Sequence, residues 1–541
     1  MKKNFKSLAI FILSLFFLNI SSLLPALAET ATPQSGNRYP IVLVHGLGGF
    51  GRDEMLDFKY WGGLYDIQEY LKAHGYEVHT AAVGPVSSNW DRACELYAQL
   101  VGGTVDYGAA HAAKYGHARY GRTYKAFIPD LGKVDPETGE IKKVHLIGHS
   151  MGGQTIRTLV QLLEQGAEEE RSYTQDNLSP LFAGGHSWVH SITTISTPHD
   201  GTSLDNAINK GMPWLQSFIG FMSTLSTPNQ LYDLKLDQFG LTRYQGEPVD
   251  AYLKRVFESS YWKLNRDLSN WDLAVEGARE LNGWVQAQEN VYYFSWATNA
   301  TRKFLFADYQ VPKITMNLFL VPFALHIGSY TRNVPGQVPI DKTWWPNDGL
   351  VSLISQNGPK INSTDQIINY DGNPRRGVWN YMGVLEGYDH LDIIGIGTLW
   401  NPCPWYLKHA QLLASLPADY AEVPEKDDEN TQTIPEHEQD LTSEDNLNPS
   451  FSETTEEQTN EIPEKDDENI QTITEHDQDL TSEDTLNPSS SETTEEQTNE
   501  APEKNDENIQ TITEHDQDLT SEDTLKPPSS ETTEESTISE N

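Results

Sequence analysis

The sequence predicts an α/β fold over roughly residues 38–415 of a 541-residue chain: a mostly parallel β-sheet covered on both faces by helices. Two observations carry that expectation. Short apolar, β-branched runs alternate with helical stretches, and one run ends in a Gly-x-Ser-x-Gly pentapeptide that opens a helix. Tyr39-Pro40-Ile41-Val42-Leu43-Val44 is a nearly continuous apolar run ending in His45-Gly46, the pattern of a strand buried on both faces. Residues 143–148, 189–195 and 291–296 repeat it, residues 76–81 more weakly, and 155–163 read as helix.

The flanks are of another kind. A basic start (Lys2, Lys3, Lys6), an apolar run over 8–20 and a Pro25-Ala26-Leu27-Ala28 exit read as a secretory signal peptide over 1–28, followed by a linker over 29–37. That run is shorter than the ~20 apolar residues of a membrane span, and no later segment is apolar enough, so a secreted, extracellular protein without a transmembrane segment is expected. Residues 416–541 form an acidic tail with three repeats. Pro424-Glu425-Lys426-Asp427 recurs at Pro463 and, with Asn505 for one Asp, at Pro502, a period of 39 residues. Each unit has almost nothing apolar to bury, so the tail is expected to stay disordered, and its residues name no partner. The tail also dominates the charge. Of the net −41, −35 falls on residues 421–541 and −6 on the rest. Neither part has the basic patch that nucleic-acid binding requires. Cys94 and Cys403 are too few and too far apart for a disulfide framework and read as free thiols.

The chemistry begins at Gly148-His149-Ser150-Met151-Gly152. Glycines flank the serine because a strand-to-helix turn this tight leaves no room for side chains, and the turn lifts the serine hydroxyl above the sheet. This is the nucleophile elbow of the α/β-hydrolase fold. An oxyanion hole needs two backbone N–H groups. Met151, directly after the serine, offers one, and Leu47 in the loop His45-Gly46-Leu47-Gly48-Gly49 offers the other. The serine needs a base, and the base an orienting acid, in the chain order Ser, Asp, His. Asp348, in the turn Asn347-Asp348-Gly349, and His390, in Tyr388-Asp389-His390-Leu391-Asp392, satisfy that order. His326 precedes Asp348, and His409 reads as a surface residue of an amphipathic last helix.

These residues, with Phe58-Lys59-Tyr60-Trp61-Gly62-Gly63, Ser88-Asn89-Trp90-Asp91-Arg92-Ala93-Cys94-Glu95, Gly102-Gly103-Thr104-Val105-Asp106-Tyr107-Gly108 and Thr197-Pro198-His199-Asp200-Gly201-Thr202, carry a resemblance. Over residues 38–415 the chain resembles the secreted true lipases of Gram-positive bacteria that contain zinc and calcium, the staphylococcal and thermostable bacillus-type group. The family's triad falls on Ser150, Asp348 and His390. The resemblance implies a structural zinc held by Asp91, His111, His117 and Asp272, with Asp267 as the fallback, clamping an insertion over 57–124. It implies calcium at Asp389, Asp392 and the backbone carbonyl of Thr315. Gly397-Thr398 stands where the family usually has Asp-Pro, which removes a carboxylate from a site that takes about 6–8 oxygens. It also implies a lid over 205–234, and residues 213–222 are unusually apolar for a connection. The activity implied is triacylglycerol hydrolysis at an oil–water interface. Phospholipid or short-ester hydrolysis by the same triad, and a non-catalytic surface-binding role, remain open.

Overall fold

The computed structural model describes residues 36–55, 58–173, 177–204 and 233–421. The expected signal peptide, nearly all of the linker and of the lid span, and the acidic repeats lie outside the described residues.

Seven strands form one sheet in the order Ile367–Asn369, Trp379–Glu386, Tyr292–Asn299, Val189–Ile195, Val144–His149, Ile41–Val44 and Val78–Ala81, with every neighbouring pair parallel. The predicted runs are β1 (Ile41–Val44), β2 (Val78–Ala81), β5 (Val144–His149), β6 (Val189–Ile195) and β7 (Tyr292–Asn299). β10 (Ile367–Asn369) and β11 (Trp379–Glu386) complete the sheet on one side. Both lie toward the sheet's edge and are largely half-buried. Their residues are accordingly mixed rather than continuously apolar, and the pattern that reveals the central strands is missing.

Side chains alternate along each strand, so the central strands feed two cores. Leu43, Ile147 and Ile195 join one cluster; Val42, Leu146 and Ile192 join the other. A large-to-small change at Leu146, which is fully buried, would cost about 2–5 kcal/mol. Two antiparallel pairs stand apart. β3 (Gly103–Asp106) with β4 (Tyr120–Tyr124) lies in the expected insertion, and β8 (Thr301–Lys303) with β9 (Gln310–Pro312) follows directly from the carboxyl end of β7. Among the described residues no helix is long and apolar enough to cross a membrane. Cys94 and Cys403 are buried and unpaired.

The folded unit runs past the expected boundary at 415. The Asp419 carboxylate is 2.8 Å from Lys143 Nζ, 3.1 Å from His190 Nδ1 and 2.5 Å from Arg376 Nη2. Its N–H donates to the Tyr39 hydroxyl, and Ala421 N–H donates to Gly139 O. Burial would raise the Asp419 pKa, but hydrogen bonds from His190, Lys143 and Arg376 outweigh it and hold the carboxyl well below the usual range. A carboxyl depressed in the folded state contributes stability above its unfolded pKa and loses it as the pH falls. A chain ending at 421 should therefore melt at a higher temperature at pH 7 than one ending at 415, with the gap narrowing in acid. Equal melting temperatures at pH 7 would show that these residues do not contribute.

Candidate active site and metal cluster

Ser150 joins β5 to the helix Met151–Gln165 with φ 56° and ψ −130°. Such a conformation costs a non-glycine residue about 1–3 kcal/mol and is tolerated where geometry demands it. The flanking glycines explain the demand. A Cβ on Gly148 would lie 2.5 Å from the backbone of Gly152, and one on Gly152 would lie 2.2 Å from Val44 O. The serine's own N–H donates to Ile195 O at 2.9 Å. Met151 is the first helical residue, so its N–H has no intrahelical acceptor.

The loop after β1 brings Leu47 to the same cavity. Gly46 N–H donates to the Tyr60 hydroxyl and Gly48 N–H to Pro85 O, both at 2.9 Å, which pins the loop at the residues before and after Leu47. Buried Arg92 ties the base of this loop by donating to His45 O, Gly84 O and Thr155 Oγ1.

Asp348 and His390, 42 residues apart in sequence, meet at 2.8 Å through Asp348 Oδ2 and His390 Nδ1. The carboxylate is completely enclosed. Oδ1 accepts the N–H groups of Leu350 and Val351, and Oδ2 also accepts from Thr298 Oγ1 and Gln356 Nε2. With Nδ1 committed to Asp348, Nε2 is the nitrogen of His390 left for a proton from the serine. Ser150, His390 and Leu47 line one narrow cavity whose walls are otherwise mostly apolar, with Leu273, Leu350, Val351 and Ile396 among them. Thr298 and Gln356 escape sequence reading because nothing in their spacing points at Asp348. His409 is corrected: it is buried rather than on the surface, bonded to Thr193 Oγ1 at 2.7 Å, and burial lowers its pKa to about 4.

A second constellation gathers Asp91, His111, His117 and Asp267, with one ligand atom from each within 4.8 Å of the others. His111 Nε2 is 3.0 Å from Asp267 Oδ1 and 3.4 Å from Asp91 Oδ1, and His117 Nε2 is 3.2 Å from Asp267 Oδ2. The expectation for Asp272 is corrected here, since Asp267 occupies the fourth place. The Asp272 carboxylate instead accepts Asn89 N–H at the start of the helix Asn89–Val101, and burial raises its pKa to about 7. The ligand atoms are oriented from outside the cluster: Gln238 Nε2 donates to Asp91 Oδ2, His117 Nδ1 faces Ala118 O, and Trp90 stacks on His111 at 4.8 Å. Asp91 Oδ1, His117 Nε2 and Asp267 Oδ2 are buried and make no well-formed hydrogen bond. Burial alone would lower the His111 pKa, but the Asp267 and Asp91 carboxylates raise it to about 9. Two imidazoles and two carboxylates with three orphaned, inward atoms fit a tetrahedral cation.

Of the three calcium candidates, Asp389 and Asp392 are both buried. Asp389 N–H donates to Asp392 Oδ2, while the Asp389 carboxylate accepts the N–H groups of Asn317, Leu391 and Asp392. Burial, then the Asp392 charge, pushes the Asp389 pKa up to about 7. Thr315 lies alongside, its hydroxyl 3.4 Å from Gly387 O. Among the described residues no third carboxylate or imidazole joins this pair.

A family model described as "Lipase-like, C-terminal domain" matches residues 37–401. Lipase 1 of Staphylococcus aureus is 39% identical over 373 residues, which are 67% of this chain and 51% of that protein, so the chain spans about half the length of the curated relatives it matches. Among solved structures, Lipase 1 from Pelosinus fermentans is 52% identical with a TM-score of 0.66, covering 70% of this chain and 99% of that one. EstA from Clostridium botulinum is 49% identical with a TM-score of 0.67, covering 72% and 90%. The Staphylococcus hyicus lipase is 35% identical with a TM-score of 0.59, covering 72% and 98%.

Proposed function

Since the chain belongs to the lipase-like, C-terminal domain family, we propose that it is a secreted carboxylic-ester hydrolase whose substrate is triacylglycerol at an oil–water interface. The observation that carries this reading is the convergence of Ser150, His390 and buried Asp348 on a mostly apolar cavity. His390 Nε2 takes the Ser150 hydroxyl proton as Oγ attacks the ester carbonyl. The same proton passes to the departing alcohol, leaving an acyl-enzyme. Water, deprotonated by His390, then releases the fatty acid. The N–H groups of Met151 and Leu47 receive the oxyanion, and such a donor contributes on the order of 10²–10³ in rate.

Zinc suits Asp91, His111, His117 and Asp267, and when bound it would cross-link segments distant in sequence without touching the ester. Calcium at Asp389, Asp392 and the Thr315 carbonyl would have two carboxylates only, so weaker binding than zinc follows. Secretion rests on the leader over 1–28, and the lid over 205–234 on its apolar residues.

A lipid surface is favoured over dissolved esters by side chains at the catalytic end of the sheet. Leu305 and Phe306, at the tip of the β8–β9 hairpin, are 80% and 87% exposed, and Ile314, Leu318 and Leu399 are 103%, 80% and 93% exposed. All five follow the carboxyl ends of β7 and β11, the end that carries Ser150 and His390. Replacing Leu305 and Phe306 together by serine should slow hydrolysis of emulsified triacylglycerol by about tenfold or more and leave a dissolved short-chain ester untouched. Equal effects on both substrates would argue against this role. The reading as a whole is tested by fatty-acid release from emulsified long-chain triacylglycerol, a dissolved short-chain ester and a phospholipid. Cleavage of the emulsion supports it. Cleavage of the short ester or phospholipid alone moves the substrate class, and cleavage of none returns the surface-binding alternative.

A further inference from the structure

His149 fills the variable position of the pentapeptide and is buried. Both of its ring nitrogens have partners. Nδ1 lies 2.7 Å from the Tyr60 hydroxyl and Nε2 lies 2.9 Å from the backbone carbonyl oxygen of His390. The Tyr60 hydroxyl also receives the Gly46 N–H at 2.9 Å. Proton directions follow from these contacts. A peptide N–H only donates and a carbonyl only accepts. Were His149 protonated at Nδ1 alone, its Nε2 lone pair would face the lone pairs of the His390 carbonyl. The tautomer that satisfies every group has Tyr60 O–H donating to Nδ1 and Nε2–H donating to His390 O. Burial, reinforced by His390 nearby, lowers the His149 pKa far enough to keep the ring neutral, and burial raises the Tyr60 pKa so that its proton stays in place.

We propose that Tyr60 and His149 are positioning residues for ester hydrolysis. The chain of bonds from Gly46 N–H through Tyr60 and His149 to the His390 carbonyl ties the oxyanion loop to the backbone of the general base, across Ser150. This rests on the reading of Ser150, His390 and Leu47 given above. Three segments distant in sequence, at residues 46, 149 and 390, must meet around one ester. Asp348 fixes the His390 side chain and receives its N–H through the Asp348 backbone oxygen. The other side of that backbone, its carbonyl, is fixed by His149. The relay is itself well braced: Tyr60 packs edge-on against Phe50 at 5.8 Å and Trp61 at 5.7 Å, and the His149 and His390 rings are 4.8 Å apart. Misplacing reacting groups by about 1 Å can cost on the order of 10²-fold in rate, so a relay of this kind acts on turnover rather than on substrate affinity.

The test compares kcat, KM and melting temperature on a dissolved short-chain ester for Tyr60→Phe, His149→Leu, His149→Gln and the double variant Tyr60→Phe/His149→Leu. Labelling by a fluorophosphonate is measured in the wild type and Ser150→Ala. Tyr60→Phe and His149→Leu should each lower kcat by about tenfold with KM unchanged. His149→Gln should keep most of the turnover, because its amide oxygen can accept from Tyr60 while its NH₂ donates to His390. The double variant should be no slower than the slower single one, since both break the same chain. The proposal falls if Tyr60→Phe retains wild-type kcat, if the two losses multiply, or if His149→Gln is as slow as His149→Leu. Should His149→Leu not fold, the isosteric Tyr60→Phe decides alone. Labelling of the wild type but not Ser150→Ala establishes the nucleophile separately. Without it, the reading of Ser150 fails first and the relay falls with it.

Discussion

Ser150→Ala should lower ester turnover by on the order of 10⁴–10⁶-fold while the protein keeps its melting temperature. The serine hydroxyl is the atom that bonds to the acyl carbon, and nothing else at the elbow replaces it. The strained backbone at this position also predicts that removing one oxygen does not disturb the fold, because alanine meets the same φ of 56° with a similar Cβ. Asp348→Asn should be nearly as damaging, by on the order of 10³–10⁴-fold. Asparagine can keep an acceptor toward the Leu350 and Val351 N–H groups, which turns its NH₂ toward His390 Nδ1. The imidazole then carries its proton on Nε2, where it cannot accept one from the serine. Both variants are read by kcat on a dissolved ester beside thermal melting. A Ser150→Ala protein with a tenth of wild-type turnover would remove the nucleophile assignment.

The next largest effect is expected at the metal cluster. His111→Ala and Asp267→Asn should each lose bound zinc and melt lower by about 5–10 °C, since removing a partner from a buried charged cluster costs about 3–5 kcal/mol. Asp272→Asn should keep its zinc, because an amide oxygen can still accept Asn89 N–H. A chelator should lower the melting temperature of the wild type and leave His111→Ala unchanged. Elemental analysis and thermal melting decide between the two aspartates. Zinc retained in Asp267→Asn but lost in Asp272→Asn would reverse the assignment.

Much of this was legible in the residues. The central strands announce themselves because burial on both faces demands unbroken apolar runs, as in Ile41–Val44 and Val189–Ile195. The elbow is legible because only glycine fits beside Val44 and Gly152. The order Ser, Asp, His picks His390 because strand topology fixes the order in which the loops appear. Asp267 and Asp272 are a different matter. They are five residues apart on one irregular segment, and only the path of that segment against the helix Asn89–Val101 decides which carboxylate reaches the imidazoles. His409 is buried because the last helix, Cys403–Ser415, turns it toward β6, and helical periodicity alone does not say which face is covered. Asp419 lies beyond the last helix in a stretch with no periodic pattern, and its role depends on two cations and an imidazole drawn from residues 143, 376 and 190. Tyr60 and His149 are invisible for the same reason, since each bond in their relay joins residues at least 14 apart.

The most direct test of the account is mass spectrometry of the protein quenched during turnover of a slow activated ester. One acyl group is expected, on the peptide containing Ser150, which accumulates and then disappears as substrate is exhausted, with no adduct in Ser150→Ala. Turnover at the wild-type rate with no acyl group on Ser150, or with the group on another residue, would contradict it.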